Sequence, residues 1–275
     1  MDPEITNFKK IKQVNDLIIY LDDSANRLKN RDYLYHYTTI QKAMDMIERQ
    51  ICHLGNAKYM NDQLEYENGD KERWTNIFFA SFMTDVKESI GMWSMYSQPW
   101  EEGVLLMIPK KVAIDWVRET KEIFEVSSVN KKITGRSIKI DADNKLFLSS
   151  VAYSNCDNPD GEKKITWSNV SNTSFSRASH IPQLTGYIKD SAWDYEREIR
   201  IKATFGVNPG FKRVAIKIPD EVINTTTIIT SPLFDELANN KRLPTKINRS
   251  KSIFHNKLKI KSVCSECSYK KNTIL

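Results

Sequence analysis

Two carboxylates and a guanidinium recur at every second position late in the chain, at Glu196, Glu198 and Arg200. In an extended strand, side chains two residues apart project from the same face. Three charged groups on one face are costly to bury unless that face lines a wet cleft or meets a ligand. The spacing therefore predicts a functional site on this strand.

A second segment with chemically useful side chains lies near the start of the chain, Leu34-Tyr35-His36-Tyr37-Thr38. Taken alone, a histidine between two tyrosines is more typical of a satisfied core residue than of a ligand-binding group. Trp93 occupies an apolar position of a helical pattern and is interpreted as a core residue. Neither segment identifies a reaction without the others.

Five short motifs occur in order between residues 33 and 235. They are Tyr35-His36-Tyr37-Thr38, Tyr59-Met60-Asn61-Asp62, Ser81-Phe82, Met92-Trp93-Ser94-Met95-Tyr96, and Lys189 with Trp193-x-x-Glu196-x-Glu198-x-Arg200. In this order and spacing they resemble a widespread bacterial family long described only as a domain of unknown function, whose members are similar to ADP-ribosyltransferases of the His-Tyr-Glu type. The resemblance implies an α+β fold with a split, mixed or antiparallel sheet core and flanking helices, and it implies NAD as co-substrate.

The resemblance also implies roles for single residues in the NAD pocket. His36 matches the histidine that hydrogen-bonds the ribose of NAD, and Thr38 lies where a hydroxyl residue sits near the nicotinamide amide. Ser81 ends the second strand of the pocket. The tyrosine that stacks on the nicotinamide ring is Tyr96 or Tyr37, and the two assignments stay open.

The essential carboxylate is likewise open between two residues. Glu198 matches the glutamate that bonds the 2′-hydroxyl of the nicotinamide ribose, and Glu196 is the alternative. Breaking the nicotinamide–ribose bond builds positive charge on the sugar, which a nearby carboxylate stabilises. Arg200 either pairs with Glu198 and keeps it ionised or meets the pyrophosphate.

Periodicity places these residues on an α+β pattern. An amphipathic leader helix is predicted over residues 7–29, and a capping box from Thr38 to Gln41 is predicted to start a helix that also buries Ile51. Asp85 with Glu88 is predicted to cap the helix carrying Tyr96. Strands are predicted over residues 33–37, 77–82, 104–108, 146–154, 196–205, 212–218 and 226–230. The polar composition of residues 155–180 predicts a long loop.

The net charge of +6 is uneven, because ten Lys and Arg residues lie from Lys241 to the end against one acid, Glu266. This divides the chain into a leader helix (1–32), an ADP-ribosyltransferase-like domain (33–240) and a basic C-terminal extension (241–275). Lys257, Lys259 and Lys261 alternate with apolar residues and would share one strand face, suited to a polyanionic acceptor. A solvated surface or a docking site for an acidic partner are the alternatives.

The remaining candidates are weaker. Asn61 and Asp62 are predicted to bind the acceptor, or else form a turn. Cys264 and Cys267 form one cysteine pair, and no metal site is predicted because a structural zinc site usually has four ligands. A site formed by His255 and this cysteine pair is the alternative. The sequence shows neither a signal peptide nor a membrane-length apolar run, so a cytoplasmic protein without membrane contact is expected.

Together these features predict an NAD-dependent mono-ADP-ribosyltransferase that modifies a macromolecule, as a bacterial toxin or phage-defence effector. Nucleic acid, RNA in particular, is weakly favoured over protein as acceptor, and an inhibitory antitoxin is an expected partner. The alternatives are a protein-targeting transferase and a non-catalytic module that binds a nucleotide or nucleic acid.

Overall fold

The computed structural model describes residues 32–59, 74–84, 88–154, 162–167, 170–176, 186–243 and 248–255. Within them the protein has an α+β fold: a mixed, largely antiparallel open sheet carries few and short helices. The predicted fold class is confirmed at this level. The leader helix predicted over residues 7–29 lies outside the described residues.

The strands of the larger sheet and of a small second sheet are numbered in chain order. They are β1 Tyr33–Thr39, β2 Ile51–Asn56, β3 Ile77–Met83, β4 Gly103–Pro109, β5 Glu122–Val126, β6 Ile133–Lys139, β7 Lys145–Ser150, β8 Ala152–Ser154, β9 Glu162–Trp167, β10 Val170–Ser176, β11 Ile188–Asp190, β12 Glu198–Thr204, β13 Val214–Lys217, β14 Thr227–Thr230 and β15 Asn248–Lys251. Strands β10, β9, β8 and β11 form the small sheet. The segment 155–180 was predicted as a loop, and this is wrong for β9 and β10.

The helices are short and join the strands. The α-helices are α1 Ile40–Arg49, α2 Ile90–Tyr96, α3 Lys110–Glu119, α4 Asp220–Thr225 and α5 Glu236–Asn239, and 3-10 turns span Ala57–Tyr59, Trp100–Glu102, Ser191–Glu196 and Asn240–Arg242.

Strand β3 lies at the centre of the large sheet and is fully paired along only one of its two edges. Along one side β3 pairs with β12 over its whole length. Along its other side it pairs with β1 only at Tyr35↔Met83, and with β2 only at Gly55↔Phe79 and Asn56↔Phe78. Strands β1 and β2 therefore diverge beside β3 and leave a gap near Ser81.

Side chains alternate between two faces of this sheet. One face packs on α3 through Leu34, Phe82 and Trp116, which belong to the largest core cluster. The opposite face packs on α2 through a second cluster that includes Tyr37 and Trp93. Trp93 is fully buried, with its ring edge-on to Tyr37 at a centroid distance of 4.8 Å, which confirms its interpretation as a core residue.

Two predicted helix starts are wrong. Helix α1 is capped by Thr39, whose hydroxyl accepts from the Lys42 amide at 3.5 Å, because the β1–β4 ladder continues through Thr38 to Thr39↔Gly103. Ile51 lies in β2 rather than in the helix. Helix α2 is capped by Ser89, and Asp85 lies outside the described residues.

Candidate active site

Glu198 and Arg200 form a buried ion pair at the start of β12. The guanidinium donates from Nε to Oε1 at 2.7 Å and from Nη2 to Oε2 at 2.9 Å, which is the two-pronged geometry of a strong charge-assisted contact. The two residues are 5% and 1% exposed. Arg200 also donates to the Gly186 carbonyl at 3.0 Å and lies 4.0 Å from the ring centroid of Phe79. Of its two predicted roles, Arg200 fills the first in this structure: it pairs with Glu198.

Strand pairing explains why Glu198 is held in place. Arg200 is registered opposite Ser81 across the β12–β3 ladder, so both side chains lie on one face. The Ser81 hydroxyl donates to Glu198 Oε1, and the Glu198 amide donates to the Tyr153 hydroxyl at 2.7 Å. Ser81 is an exposed residue, so the buried carboxylate is hydrogen-bonded to a residue at the protein surface.

Glu196 reaches the same cluster by a different route. It ends the 3-10 turn Ser191–Glu196 and is followed by Arg197 with a left-handed φ of 42°. The prediction that Glu196 shares one extended strand with Glu198 and Arg200 is therefore wrong for Glu196. Its side chain still turns inward, where Oε1 accepts from the Tyr96 hydroxyl.

Lys189 connects the two carboxylates. Its Nζ lies 2.5 Å from Glu196 Oε2 and 3.6 Å from Glu198 Oε2, and 4.5 Å from the ring centroid of Trp193. All three charged side chains are at least nine-tenths buried. Two carboxylates thus face two cations, Lys189 and Arg200, in what we call the carboxylate cluster, which also includes Ser81 and Tyr96.

Electrostatics favour the charged forms of Glu198 and Lys189. Burial alone would raise the pKa of Glu198, but the Arg200 guanidinium, Lys189 and the Ser81 hydroxyl together hold it below its ordinary value. Burial opposes the charge on Lys189, yet the two carboxylates raise its pKa. Burial and the bond to Glu196 raise the pKa of Tyr96, so its hydroxyl remains a donor.

His36 contacts the backbone of Ser81, not a carboxylate. By strand alternation its side chain lies on the sheet face of Leu34 and Phe82, whereas Glu198 and Arg200 project from the opposite face. It lies in the gap between β1 and β3, where its Nδ1 is 2.9 Å from the Ser81 carbonyl and its ring centroid is 5.2 Å from that of Phe82. Burial lowers the pKa of His36, against the effect of the Ser81 carbonyl. In a neutral ring with Nδ1–H donating to this carbonyl, Nε2 is left as an acceptor.

The other predicted pocket residues separate into two groups. Tyr96 belongs to the carboxylate cluster and is half-buried. Tyr37 is buried against Trp93, and its hydroxyl accepts from the Ser89 amide at 3.2 Å; burial raises its pKa to about 12. Thr38 is also buried. The structure therefore brings Tyr96, rather than Tyr37, to the carboxylates.

The predicted acceptor-binding residues Asn61, Asp62, Lys257, Lys259 and Lys261 lie outside the described residues. So does the Cys264–Cys267 pair. Among the residues that are described, no three His, Cys, Asp or Glu side chains gather as a metal site.

Two contributors to the cluster were not assigned a role from the sequence. Lys189 stood in the ordered motif, but its distance from Glu196 and Glu198 depends on how β11 and the 3-10 turn fold. Tyr153 carries no sequence signal at all, since it lies 45 residues from the Glu198 amide that it accepts from. Trp193 and Tyr195 flank the site, with ring centroids 6.2 Å apart, and Tyr195 is 44% exposed.

Comparisons of the chain with family models, with curated proteins and with solved structures find no match. In the part of the chain that the structure describes, the helices are too short or too polar to cross a membrane.

Proposed function

We propose that this protein is an NAD-dependent mono-ADP-ribosyltransferase that modifies a macromolecular acceptor, with nucleic acid, and RNA in particular, favoured over protein. The observation that carries the proposal is Glu198: a buried carboxylate kept ionised by Arg200 and hydrogen-bonded to the exposed Ser81. The divided sheet around β3 fits the split-sheet core that the motif resemblance implies. The same resemblance supports a toxin or phage-defence role, with an antitoxin as partner.

Glu198 would act on the reacting sugar. When the bond from the nicotinamide nitrogen to the ribose breaks, its electron pair leaves with nicotinamide, and the ribose becomes positively charged. In the starting NAD the positive charge lies on the nicotinamide ring, and it moves to the ribose as the bond breaks. A carboxylate fixed beside the ribose stabilises the charge there more than in the starting state, which lowers the barrier. Arg200 keeps Glu198 in its charged form and fixes its orientation, so little reorganisation is needed during the reaction.

Glu196, Tyr96 and Lys189 would position the reactants. Tyr96 offers a half-buried ring for the flat nicotinamide, while its hydroxyl is fixed by Glu196. Glu196 is ion-paired with Lys189. As the acceptor nucleophile bonds to the sugar it loses a proton, and the Glu196 carboxylate can accept that proton. Whether Glu196 or Glu198 is essential is decided by the variants described in the Discussion.

The neutral imidazole of His36 would accept a ribose hydroxyl at Nε2, since Nδ1 is engaged by the Ser81 carbonyl. Thr38 follows on the same strand, near the position that the resemblance gives to the nicotinamide amide.

One observation favours a second function. The carboxylates of the cluster are matched by the charges of Lys189 and Arg200, and a neutralised ion-pair network also serves a purely structural purpose. A non-catalytic module that binds a nucleotide or nucleic acid is therefore the competing proposal.

Radiolabelled NAD separates these functions. Purified protein is incubated with NAD labelled in the adenylate half and with separate pools of RNA, DNA and protein, and each pool is assayed for bound label. We expect label in the RNA pool and none with Glu198→Gln protein. Label in the protein pool alone would show that the acceptor is protein rather than RNA. No NAD consumption with any pool would favour the non-catalytic binding module.

A further inference from the structure

Cations and an aromatic ring share one face of the sheet at β13, β5 and β6. Lys217 Nζ lies 4.9 Å from the ring centroid of Phe124, and both residues lie on this face because Ala215, two residues before Lys217, is registered opposite Phe124. Lys139 is registered opposite Glu122, two residues before Phe124, and so lies on the same face. Both lysines are exposed and Phe124 is half-buried.

Further cations gather where this face reaches β2. His53 is registered opposite Ala215 and is half-exposed. Burial lowers the pKa of His53, and the positive charges of Arg49, Arg213 and Lys131 lower it further, against the nearby Asp45 carboxylate. The guanidinium of Arg49 also donates to the Lys131 carbonyl at 3.0 Å, which fixes the β5–β6 turn beside it.

Strand register connects this face to the carboxylate cluster. His53 and Gly55 alternate onto the same face of β2, and Gly55 is registered opposite Phe79 of β3. Two residues further along β3 lies Ser81, registered opposite Arg200. The cations and the cluster therefore lie on the same side of the sheet.

We call this surface the basic sheet face; it comprises Arg49, His53, Phe124, Lys131, Lys139, Arg213 and Lys217. We propose that it binds a single-stranded nucleic acid, with Lys131, Lys139, Arg213 and Lys217 on the phosphates and Phe124 against a base. Proteins bind single strands without reading their sequence through spaced cations and aromatic side chains on which the bases stack. Arg49 is paired with Asp45 at 2.5 Å. Four cations then remain beside one acid, Glu122, which favours a polyanion. The inference deepens the proposed function, and rests on it only in taking the bound strand to be the acceptor.

Fluorescence anisotropy of a labelled single-stranded RNA, without NAD, tests the proposal. The K139E/K217E variant reverses two exposed lysines of the face, and the matched control K42E/K111E reverses two exposed lysines on α1 and α3. We expect K139E/K217E to weaken binding at least about tenfold and to reduce the salt slope by about 1.4, at roughly 0.7 for each lost contact with a single strand. The control should stay within about twofold of wild type.

A second variant and two further arms make the result decisive. Phe124→Ala should weaken binding by about tenfold without changing the salt slope, because it removes stacking and no charge. Single-stranded DNA should bind like RNA. Equal affinity and slope in K139E/K217E and in the control, or no RNA binding by wild type, would overturn the inference.

The proposed function fails independently of this surface. Nicotinamide release from NAD without acceptor depends on the carboxylate cluster, so K139E/K217E should retain it. Glu198→Gln should bind RNA like wild type. RNA binding without NAD consumption would overturn the proposed enzyme activity and leave the proposed role of the basic sheet face standing. NAD consumption without RNA binding would overturn the role of the basic sheet face and leave the enzyme activity standing.

Discussion

Replacing Lys189 with methionine removes the cation that links Glu196 to Glu198, while an unbranched side chain still covers Trp193. The ammonium lies 2.5 Å and 3.6 Å from the two carboxylates, and the three side chains are at least nine-tenths buried. In the variant, Glu198 keeps its two bonds from Arg200, but Glu196 keeps only the hydroxyl of Tyr96. Glu196 is then a buried carboxylate without a cation bound to it.

Breaking a buried ion pair on one side costs roughly 3–5 kcal/mol, and the lower end applies because one carboxylate stays paired. A loss of about 3 kcal/mol lowers the midpoint of thermal unfolding by about 6–12 °C in a chain of this size. Circular dichroism at neutral pH measures the midpoint. Lys212→Met removes an exposed lysine and serves as control, with an expected change within about 0.5 kcal/mol.

The pH dependence of this difference follows from the raised pKa of Lys189. A cation whose pKa is raised on folding contributes its full stability below the unfolded value, near 10.5, and loses it as the pH rises through the folded value. The difference in the free energy of unfolding between wild type and Lys189→Met should stay constant from about pH 6 to 9 and decrease only above about pH 9. A difference in the free energy of unfolding below about 1 kcal/mol at neutral pH would refute the stabilising role of the ion pairs.

Three further predictions concern NAD. Tyr96→Phe keeps the ring and should leave the NAD dissociation constant within about threefold, whereas Tyr96→Ala should raise it by up to about tenfold through lost stacking, measured by calorimetric titration; equal effects would place the contact in the hydroxyl. His36→Ala should weaken NAD binding by about two- to tenfold, the value of one hydrogen bond, and unchanged affinity would show that His36 only fixes β3. NAD consumption should remain flat as the pH falls through 6.5 and decline only below about 4.5, because burial lowers the pKa of His36, and Arg200 keeps the pKa of Glu198 low against the effect of burial; a loss of activity centred near 6.5 would contradict this.

The sequence allowed the strand of Glu198 and Arg200 to be predicted, because alternation with Ile199 and Ile201 is a local signal. The ion pair itself could be expected from a spacing of two on one strand face. The position of Glu196 could not, since a left-handed residue, Arg197, turns the chain just before β12. Because a left-handed φ is typical of glycine, an arginine at this position gives no sequence signal for the turn.

Contacts between distant elements were the least accessible. The link from Lys189 to Glu196 is set by the way β11 leads into a 3-10 turn, and the Tyr153 contact crosses from β8 to β12. The basic sheet face could not be predicted from the charge composition either. Counting charges along the chain assigned the excess to residues 241–275, whereas folding gathers cations from α1, β6 and β13 onto one surface.

Nicotinamide release from NAD by Glu198→Gln and Glu196→Gln tests the central claim most directly. Each variant replaces one carboxylate of the cluster by an amide of the same shape, and measured unfolding midpoints serve as the check that both variants fold. We expect Glu198→Gln to lower the rate by about 10²–10⁴-fold at nearly unchanged NAD affinity, and Glu196→Gln to keep more activity. An active Glu198→Gln with an inactive Glu196→Gln would move the catalytic role to Glu196. Wild-type rates in both variants would contradict the account.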